Sequence, residues 1–447
     1  MSPARATLAR WLYATALRLA TPLWLARLWW RGAREPLYRA HLGERLGWFA
    51  GEGSTPAAGA VWVHAVSLGE TRAAAPLVAA LRVRHPGLRL LLTHGTATGR
   101  AAGQALLQPG DISCWLPLDT PGATRRFFAH HRPVLGVLME TEVWPVLLHE
   151  AARAGVPVAL ASARLSARSL ARGLRLPALL KPAVQGLCVV LAQSEADAQR
   201  LRDFGARDVR VCGNLKFDLQ PDAGLLARGR QWREGLQRPV VLGAVTREGE
   251  EAALLREWAA LPAPRPLLVL VPRHPQRFDE VARLVAAAGL SCVRRSALGA
   301  GPVSWSPAPE AAAADVWLGD SLGEMPLYYG LADVALLGGS FEPLGGQNLI
   351  EAAACGCPLL MGPHTFNFAQ AAELALEAGA AQRVPDLAAA VACAQALLAA
   401  GDTRLPDMAR HARAFAAAHQ GAAVRIAAAL GPWLPSGRTG GAGGTQA

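Results

Sequence analysis

Glu70 is the carboxylate of the first run along the sequence that could carry chemistry. It belongs to the run HAVSLGET, in which an apolar segment at 61–66 is followed by a turn of small residues and the start of a helix. Ligands of open α/β sheets bind at such carboxyl ends of strands, and this position favours a catalytic role for Glu70. A carboxylate in the first turn of a helix also complements the helix dipole. The local sequence leaves both roles open.

Glu140 and Glu142 form a second acidic feature, directly after the apolar segment 134–139. Strand alternation places both carboxylates on the same side if the strand continues through them. Such a pair could transfer a proton or stabilise a developing charge. The alternative is that the two carboxylates cap the helix that is predicted after Pro145.

Lys216 stands out because the basic residues of this chain are otherwise arginines, Lys181 excepted. It follows the predicted strand 209–212 in the run GNLKFD. A lysine offers a compact point charge and a tunable pKa, which a guanidinium lacks, although an ordinary surface lysine is the alternative. Arg273, in the run PRHP after another predicted strand, could bind a phosphate through charge-assisted hydrogen bonds.

A glycine-rich loop between a predicted strand and a predicted helix lies in the run GGSFEPLGGQNLIEAAACGCPLLMG at 338–362. Gly345 and Gly346 allow backbone amides to approach an anion, and the helix that opens near Asn348 offers its positive end to a phosphate. Glu351 in the first turn could accept hydrogen bonds from ribose hydroxyls. The loop lacks the lysine and serine of a Walker motif, which argues against a P-loop hydrolase.

These segments belong to two successive βαβ series, which predict two α/β lobes in tandem with a cleft between them. The predicted strands of the first series are 61–66, 88–93, 134–139, 156–161, 187–192 and 209–212. Those of the second are 240–242, 267–271, 291–293, 316–318, 334–337 and 359–361. A helix over 405–430 is expected to close the structure, and the glycine-rich tail from Ser436 is expected to be disordered.

The N-terminal segment 7–30 is heavily apolar and rich in tryptophan, but Arg10, Arg18 and Arg27 interrupt it. A spanning helix needs about 20 mostly apolar residues, and an arginine at the bilayer centre costs about 2.5 kcal/mol or more. Tryptophans and snorkelling arginines instead favour a helix at the headgroup boundary of an anionic membrane. A soluble amphipathic helix and a true span are the alternatives.

Composition restricts the class of protein. Of 447 residues, 52% are hydrophobic and 18% are charged, which predicts a large buried core and excludes global disorder. The net charge of +11 implies an anionic partner, which could be nucleic acid, a membrane or a phosphorylated substrate. The seven cysteines are scattered, which predicts a reducing compartment. Cys355 and Cys357 look like half a metal site, but no second pair completes it, and core-filling side chains are the favoured interpretation.

Taken in chain order, the motifs resemble the 3-deoxy-D-manno-octulosonic acid (Kdo) transferases of Gram-negative lipopolysaccharide assembly. The resemblance extends from about Trp24 to Leu430 and is carried by RLWWRG, HLGERLG, HAVSLGET, METEVWP, ASARLSARS, GNLKFD, PRHPQRF, GDSLGEM, GGSFEPLGGQNLIEAA and MGPHTFNF. It implies the GT-B fold, an α/β architecture of two Rossmann-like domains facing a central cleft, with an N-terminal membrane-associated helix. The implied divisions are a membrane-anchoring helix at 1–30, an acceptor domain at 31–218, a nucleotide-sugar domain at 219–404, a closing helix at 405–435 and a disordered tail at 436–447.

The same resemblance implies an inverting glycosyltransferase that moves Kdo from CMP-Kdo to a lipid A precursor, lipid IVA. The implied location is the cytoplasmic face of the inner membrane, with peripheral or N-terminal anchoring, so that the anionic partner is a membrane and not nucleic acid. No metal or other cofactor is implied, because the sequence has no Asp-x-Asp motif.

Matched residue by residue, Glu70 stands at the family's general-base position, and Glu140 and Lys216 stand at positions that stabilise the transition state. The nucleotide-binding positions correspond to Pro272, Arg273, Gly323, Glu324, Met325, Asn348, Leu349, Ile350 and Glu351. The chain departs from the family pattern at Gln347 and Leu349, where other members have histidine and proline, and at Leu68, which replaces a valine. These departures leave the base assignment intact but weaken detailed claims about cytidine contacts.

Two rival functions stay open from the sequence. A GT-B transferase that uses a uridine-linked hexose would need the same helix end with a different base pocket. A basic membrane scaffold would bind anionic lipid without catalysis, and it would tolerate the loss of Glu70.

Overall fold

The structure is a computed structural model that describes residues 2–49, 56–299, 308–399 and 402–434. The chain divides into two units, each built around its own parallel sheet. The first unit comprises the residues up to Leu219 together with the segment from Gln420, and the second comprises Gln220–His419. The tail that the sequence predicts at 436–447 lies outside the described residues.

The first unit is doubly wound. Its strands are β1 Val61–His64, β2 Leu90–His94, β3 Ile112–Trp115, β4 Leu135–Met139, β5 Val158–Ala163, β6 Val189–Ala192 and β7 Val209–Val211. They form one sheet in the order β3-β2-β1-β4-β5-β6-β7, with every described pair parallel. The chain therefore reverses its direction across the sheet between β1 and β4, and the carboxyl ends of these two strands flank the position where such folds bind ligands.

The central strand β1 is buried on both faces, as expected for a parallel sheet covered by helices. Trp62 packs with Phe127 and Leu138 in one hydrophobic core, whereas Val61 and Val63 pack in a second core on the opposite face. The helices of this part of the chain are α1 Pro3–Arg31, α2 Leu42–Arg45, α3 Leu68–Arg84, α4 Ala97–Gly103, α5 Pro121–His131, α6 Pro145–Arg153, α7 Ala167–Gly173, α8 Pro177–Gln185 and α9 Glu195–Phe204.

The second unit repeats this architecture with a parallel sheet in the order β10-β11-β9-β8-β12-β13-β14. Its strands are β8 Val240–Thr246, β9 Leu267–Pro272, β10 Cys292–Arg294, β11 Val316–Leu318, β12 Val334–Leu337, β13 Leu359–Met361 and β14 Ala381–Arg383. Its helices are α10 Ala223–Glu234, α11 Glu250–Ala259, α12 Phe278–Ala287, α13 Pro309–Ala313, α14 Met325–Leu331, α15 Leu349–Cys355, α16 Ala369–Glu377, α17 Leu387–Leu397 and α18 Arg404–Ala418.

The single closing helix predicted over 405–435 is wrong. The chain leaves the helical conformation after α18, and Gly421, at a φ of 90°, begins a separate helix, α19 Ala422–Leu430. Helix α18 belongs to the second unit, whereas Ile426 and other apolar residues of α19 pack into a core of the first. The Asp218 carboxylate holds α19 in place, because it accepts hydrogen bonds from the Gly421 N–H (2.5 Å) and the Ala423 N–H (2.5 Å).

Two strands that the sequence did not predict, β3 and β14, lie at edges of the two sheets. Both are short and carry polar residues, ISCW in the first and AQR in the second. Edge strands are covered less completely, so their sequences lack the apolar runs that mark the central strands.

At the N terminus, α1 is 29 residues long. Among the described residues, no helix combines the length and the apolar composition needed to cross a membrane.

Candidate active site

Glu70 lies in the first turn of α3, just beyond the carboxyl end of β1. Its carboxylate accepts hydrogen bonds from the Val66 N–H (2.9 Å) and the Ser67 hydroxyl (3.2 Å). The Ser67 oxygen in turn accepts from the Glu70 N–H (3.4 Å), so Ser67 is the N-cap of α3. The helix-start role considered for Glu70 is therefore present, and it fixes the carboxylate at the carboxyl edge of the sheet.

The Glu70 carboxyl also belongs to a wider charge cluster. Burial raises its pKa above the usual value, and the nearby Glu140 carboxylate acts in the same direction. The Val66 N–H, the Ser67 hydroxyl and the Lys216 ammonium oppose these effects. A partly buried carboxylate with a raised pKa binds a proton more readily than an exposed one, which is the property that a general base needs.

Glu140 follows β4 in a left-handed backbone conformation with a φ of 54°. The prediction that Glu140 and Glu142 share one side of a continuing strand is therefore wrong, because the strand ends at Met139. The Glu140 side chain is buried between two cations. Its Oε1 lies 2.7 Å from the Lys216 ammonium, and its Oε2 accepts from the Arg164 guanidinium at 2.9 Å.

Neither carboxylate caps the helix that follows, so that alternative is also wrong. The side chain that performs this task is Asp119, which accepts from the Val146 N–H (3.3 Å) and the Leu147 N–H (2.6 Å) at the start of α6. Glu142 instead accepts a hydrogen bond from the Trp144 indole (2.7 Å). Both glutamates are thus available to the charge cluster around Glu70.

Lys216 is not an ordinary surface lysine, since its side chain is only 17% exposed. It lies in a 3₁₀ turn, Leu215–Asp218, whose first backbone N–H groups are held by side chains. Asn214 accepts from the Lys216 N–H (3.0 Å), and Ser162 accepts from the Leu215 N–H (3.4 Å). The turn therefore fixes the ammonium against Glu140.

Arg164 is the functional candidate that sequence reasoning missed. It follows β5 within the motif ASARLSARS, and its backbone N–H also donates to the Glu140 carbonyl (3.3 Å). Its side chain is 41% exposed, so the buried Glu140 carboxylate is paired on this side with a cation that solvent can reach. In a chain so rich in arginine, the residue type carried no signal. The available signal in the local pattern was its place three residues after the predicted strand 156–161.

Glu142 and His64 meet on the other side of the cluster, with the Glu142 Oε2 3.9 Å from the His64 Nε2. Burial raises the pKa of Glu142 to about 7, and the Glu70 and Glu140 charges contribute to the increase. His64 is fully buried, which lowers its pKa to about 3 and keeps it neutral. Its Nδ1 lies 3.1 Å from the Thr93 carbonyl, so the proton is on Nδ1 and the contact with Glu142 is not an ion pair.

Replacing Glu142 with glutamine should change the pH dependence of stability. The folded-state pKa of about 7 exceeds the ordinary value of 4.5, so the native protein binds the extra proton between these values. The stability that Glu142 contributes is therefore complete below about pH 4.5 and is lost as the pH rises through 7. We therefore expect the free energy of unfolding of Glu142→Gln, measured relative to that of the natural protein, to increase by on the order of 2 kcal/mol as the pH rises from 5 to 8. Denaturant unfolding at the two pH values measures this, and an equal difference at both would contradict it.

In the second unit, Pro272 ends β9 and Arg273 follows it. The Arg273 N–H donates to the Thr246 carbonyl (2.9 Å) at the end of β8, and the Arg273 residue itself is exposed. An exposed guanidinium at the carboxyl edge of a parallel sheet is well placed to bind a phosphate.

The segment Gly323-Glu324-Met325 lies between β11 and α14, which begins at Met325. Gly323 has a φ of 80°, a conformation that glycine adopts at little cost. The Glu324 Oε1 accepts from the Arg295 guanidinium at 2.9 Å. Arg295 is buried against the Trp232 ring. One oxygen of Glu324 is therefore used to pair with a buried guanidinium of the second unit.

The glycine-rich loop after β12 leads into α15 through Asn348, whose side chain accepts from the Ile350 N–H (3.2 Å). Glu351 is half-buried in the first turn, as the sequence predicted. Leu349 and Ile350 are buried in the unit, with 0% and 1% exposure. Their side chains therefore face the core, and only their backbone atoms could contact a nucleotide.

The buried carboxylate of Glu250 shapes this loop, a role that the sequence did not reveal. It accepts hydrogen bonds from the Gly339 N–H (2.7 Å), the Phe341 N–H (3.1 Å) and the Arg247 N–H (2.9 Å). Three backbone donors on one buried side chain fix the start of the loop relative to the end of β8.

We expect Glu250→Ala to leave these three N–H groups without their acceptor, each at a cost of about 1–3 kcal/mol. At about 2–4 °C per kcal/mol for a unit of this size, the calorimetric unfolding temperature should fall by at least about 6–12 °C. Glu310→Ala, at an exposed position of α13, is the matched control and should change it little. Equal unfolding temperatures for the two variants would contradict the role of Glu250.

The comparisons with known proteins bear on both units. The family model described as 3-deoxy-D-manno-octulosonic-acid transferase (kdotransferase) matches residues 40–219. The 3-deoxy-D-manno-octulosonic acid transferase of Bordetella pertussis is 51% identical over 95% of this chain and 99% of its own length. The chain belongs to the Kdo transferase family. The transferase of the same description from Haemophilus influenzae is 35% identical, covering 82% of this chain and 85% of its own.

Among solved structures, a glycosyltransferase from Rickettsia africae matches this Kdo transferase with a TM-score of 0.56. The match has 12% sequence identity and covers 84% of this chain and 98% of that one. This similarity shows the fold alone and agrees with the GT-B arrangement of two Rossmann-like α/β units. The protein is accordingly a Kdo-transferring glycosyltransferase of lipopolysaccharide synthesis.

The residues expected of a Kdo transferase are distributed between the two units. Glu70, Glu140 and Lys216 lie together where β1 and β4 end, and Arg164 and Glu142 complete their cluster. The positions expected to bind the nucleotide follow strands β9, β11 and β12, all of which end at the carboxyl edge of the second sheet.

The residues that the structure describes contain no group of three or more His, Cys, Asp or Glu side chains able to hold a metal. Cys355 and Cys357 are buried, and burial raises the pKa of the Cys355 thiol to about 12. The Cys357 pKa is likewise well above its usual value. Protonated, buried thiols agree with the core-filling interpretation of this pair.

Proposed function

We propose that this Kdo transferase moves Kdo from CMP-Kdo to a lipid A precursor, lipid IVA, by a direct inverting reaction. The observation that carries the proposal is the cluster of the first unit, in which Glu70 lies within electrostatic range of Glu140 and Lys216. A base and a charge-stabilising pair are thus present at the switch point of a doubly wound sheet.

In the proposed reaction, the Glu70 carboxylate removes the proton from the acceptor hydroxyl as its oxygen attacks the anomeric carbon of Kdo. The new C–O bond forms on the face opposite the departing group, and the bond from the anomeric carbon to the phosphate oxygen of CMP breaks. One displacement without a covalent enzyme intermediate inverts the anomeric configuration. The raised pKa of Glu70 favours the proton transfer.

The pair of Glu140 and Lys216 supplies fixed charges for this displacement. The sugar gains positive character as the bond to phosphate breaks, and the leaving CMP gains negative charge. A carboxylate held between an ammonium and the Arg164 guanidinium presents both signs of charge without reorganisation.

In the second unit, Arg273 and the backbone at Asn348–Glu351 would bind the nucleotide. We propose that these groups act without a divalent cation, so EDTA should leave the rate unchanged.

We further propose that the protein binds the cytoplasmic face of the inner membrane through the outer face of α1. Large apolar residues are exposed there in a stripe with helical spacing: Leu8, Leu12, Leu19, Leu23 and Trp30. Arg18 and Arg27 are also exposed along this helix, and the net charge of +11 favours an anionic leaflet. Such a helix lies in the interface and does not need to cross it.

Replacing Leu19 and Leu23 with serine should reduce binding to vesicles that contain anionic phospholipid. The loss of two large apolar contacts at about 1.5–3 kcal/mol each, about 3 kcal/mol or more together, corresponds to at least about hundredfold weaker binding. Val83→Ser, at the exposed end of α3, is the control because it removes one apolar side chain away from α1. Vesicle cosedimentation measures the difference, and unchanged binding of the double variant would contradict the proposed face.

Mass spectrometry of lipid IVA incubated with the purified protein and a CMP-Kdo source tests the activity. A mass increase of one or more Kdo residues supports the proposal and reports how many are added. Transfer from a UDP-hexose, without transfer from CMP-Kdo, would contradict the donor assignment. Binding of lipid with no transfer from either donor would contradict catalysis.

A further inference from the structure

A cavity of about 300 Å³ lies in the first unit, beneath α1. Leu17, Ala20 and Trp24 of α1 form one wall, and Val66, Leu118 and Trp144 contribute to the rest. Most of these side chains are only half-buried, and Ala20 is exposed, so the cavity is open at the helix. Its volume is at the lower end of the range for small-molecule sites, and its lining is mainly apolar.

The charged residues that line the cavity already have partners within the fold. The Arg45 guanidinium donates to the carbonyls of His94, Gly95 and Leu116 and lies 4.1 Å from the Trp115 ring centroid. Its hydrogen bonds to these carbonyls hold it against the protein. An anionic group in the cavity would have to compete with them.

Asp119 is similarly occupied. Besides capping α6, it interacts with the Tyr13 side chain of α1, which lowers the pKa of the Asp119 carboxyl and so opposes the effect of burial. The third titratable residue of the lining, His64, is neutral. The cavity therefore favours an uncharged, apolar ligand.

The position of the cavity connects two features of the first unit. Val66 lines it, and the Val66 N–H holds the Glu70 carboxylate at 2.9 Å. On the other side, the cavity is bounded by α1, whose outer face carries the stripe of exposed apolar residues. A molecule in the cavity would thus lie between a lipid-facing helix and the general base.

We propose that this cavity binds a hydrocarbon chain of the lipid acceptor while the sugar hydroxyl of the same molecule meets Glu70. This inference rests on the proposed function, because it requires an acylated acceptor. The chain is the occupant that matches the apolar lining, the opening at α1 and the contact of the cavity wall with Glu70.

The test compares two tryptophan substitutions on α1. Ala20→Trp fills the cavity from its exposed wall, whereas Ala16→Trp adds the same side chain at an exposed position of α1 that does not line the cavity. Each variant is assayed for Kdo transfer to lipid IVA and to the same disaccharide without its acyl chains. The excluded methylenes should lower kcat/KM of Ala20→Trp for lipid IVA by at least about tenfold. The rate with the deacylated acceptor, and both rates of Ala16→Trp, should stay within about twofold.

Equal effects of Ala20→Trp on both acceptors, or no effect on either, would overturn the inference. Failure of the natural protein to transfer Kdo to either acceptor would instead overturn the proposed function. Binding of a fluorescent dodecanoyl chain provides a readout that is independent of catalysis. We expect saturable binding to the natural protein and Ala16→Trp, and at least about tenfold weaker binding to Ala20→Trp. Equal binding to the two variants would contradict the cavity as its site.

Discussion

Kdo transfer by the Glu70→Gln variant is expected to be about 10²–10⁴-fold slower than by the natural protein, because the amide cannot accept the proton of the acceptor hydroxyl. The glutamine oxygen can still accept the Val66 N–H bond, and the Ser67 N-cap bond to the backbone at position 70 does not depend on the carboxylate, so the start of α3 is largely kept. The unfolding temperature and binding to anionic vesicles should therefore change little. Steady-state transfer to lipid IVA, with both acceptor and donor saturating, measures the effect on kcat.

Glu195→Gln is the control for Glu70, since Glu195 is a first-turn carboxylate of α9 with 72% side-chain exposure. If complementing a helix dipole were the whole role of Glu70, the two variants would lose activity to a similar, small extent. A Glu70→Gln variant that keeps half of the natural rate would exclude this residue as the base. Loss of vesicle binding by that variant would indicate a wider structural change.

Lys216→Met is expected to lower kcat by about 10²–10³-fold and to destabilise the first unit. The ammonium contributes fixed positive charge near the reacting groups, and removing one such donor from an enclosed site typically has an effect of this size. The substitution also leaves the buried Glu140 with Arg164 as its remaining cation. Breaking a buried ion pair typically costs about 3–5 kcal/mol, and the remaining Arg164 pair should keep the cost near about 3 kcal/mol.

Two further variants separate the catalytic from the structural effect of Lys216. Lys181→Met, in α8, removes the other lysine of the chain and should leave the rate unchanged. Lys216→Arg keeps the charge near Glu140, so it should recover part of the stability, while the different geometry of guanidinium leaves the rate low. Recovery of the full rate by Lys216→Arg would show that stability alone accounts for the loss in Lys216→Met.

The central strands could be predicted from the sequence because they are buried on both faces and read as continuous apolar runs. The predicted strands at 316–318, 334–337 and 359–361 coincide with β11, β12 and β13. The edge strands β3 and β14 could not be found in this way, since partial exposure permits polar residues. The break between α18 and α19 depends on a backbone turn at Gly421, a signal that the surrounding alanine-rich sequence obscured.

Less of the active site could be predicted from local patterns. Glu70, Glu140 and Lys216 could be named as candidates, but the decision between their catalytic and ordinary roles came from the resemblance. The positive φ of Glu140, the burial of Lys216 and the Arg164 contact all depend on tertiary packing between segments far apart in sequence. The hydrophobic periodicity of the sequence and the spacing of its motifs carry no information about such contacts.

The return of α19 to the first unit has a consequence for synthesis on the ribosome. The domain that is translated first cannot complete its core until Ile426 and its neighbours have left the exit tunnel. The roughly 200 intervening residues of the second unit, Gln220–His419, take roughly 10–40 s to translate at typical rates. Throughout that interval, the nascent first domain exposes the apolar surface that α19 later covers. A premature stop codon shortly after His419 would therefore damage the N-terminal half of the enzyme, even though the second unit would already be complete.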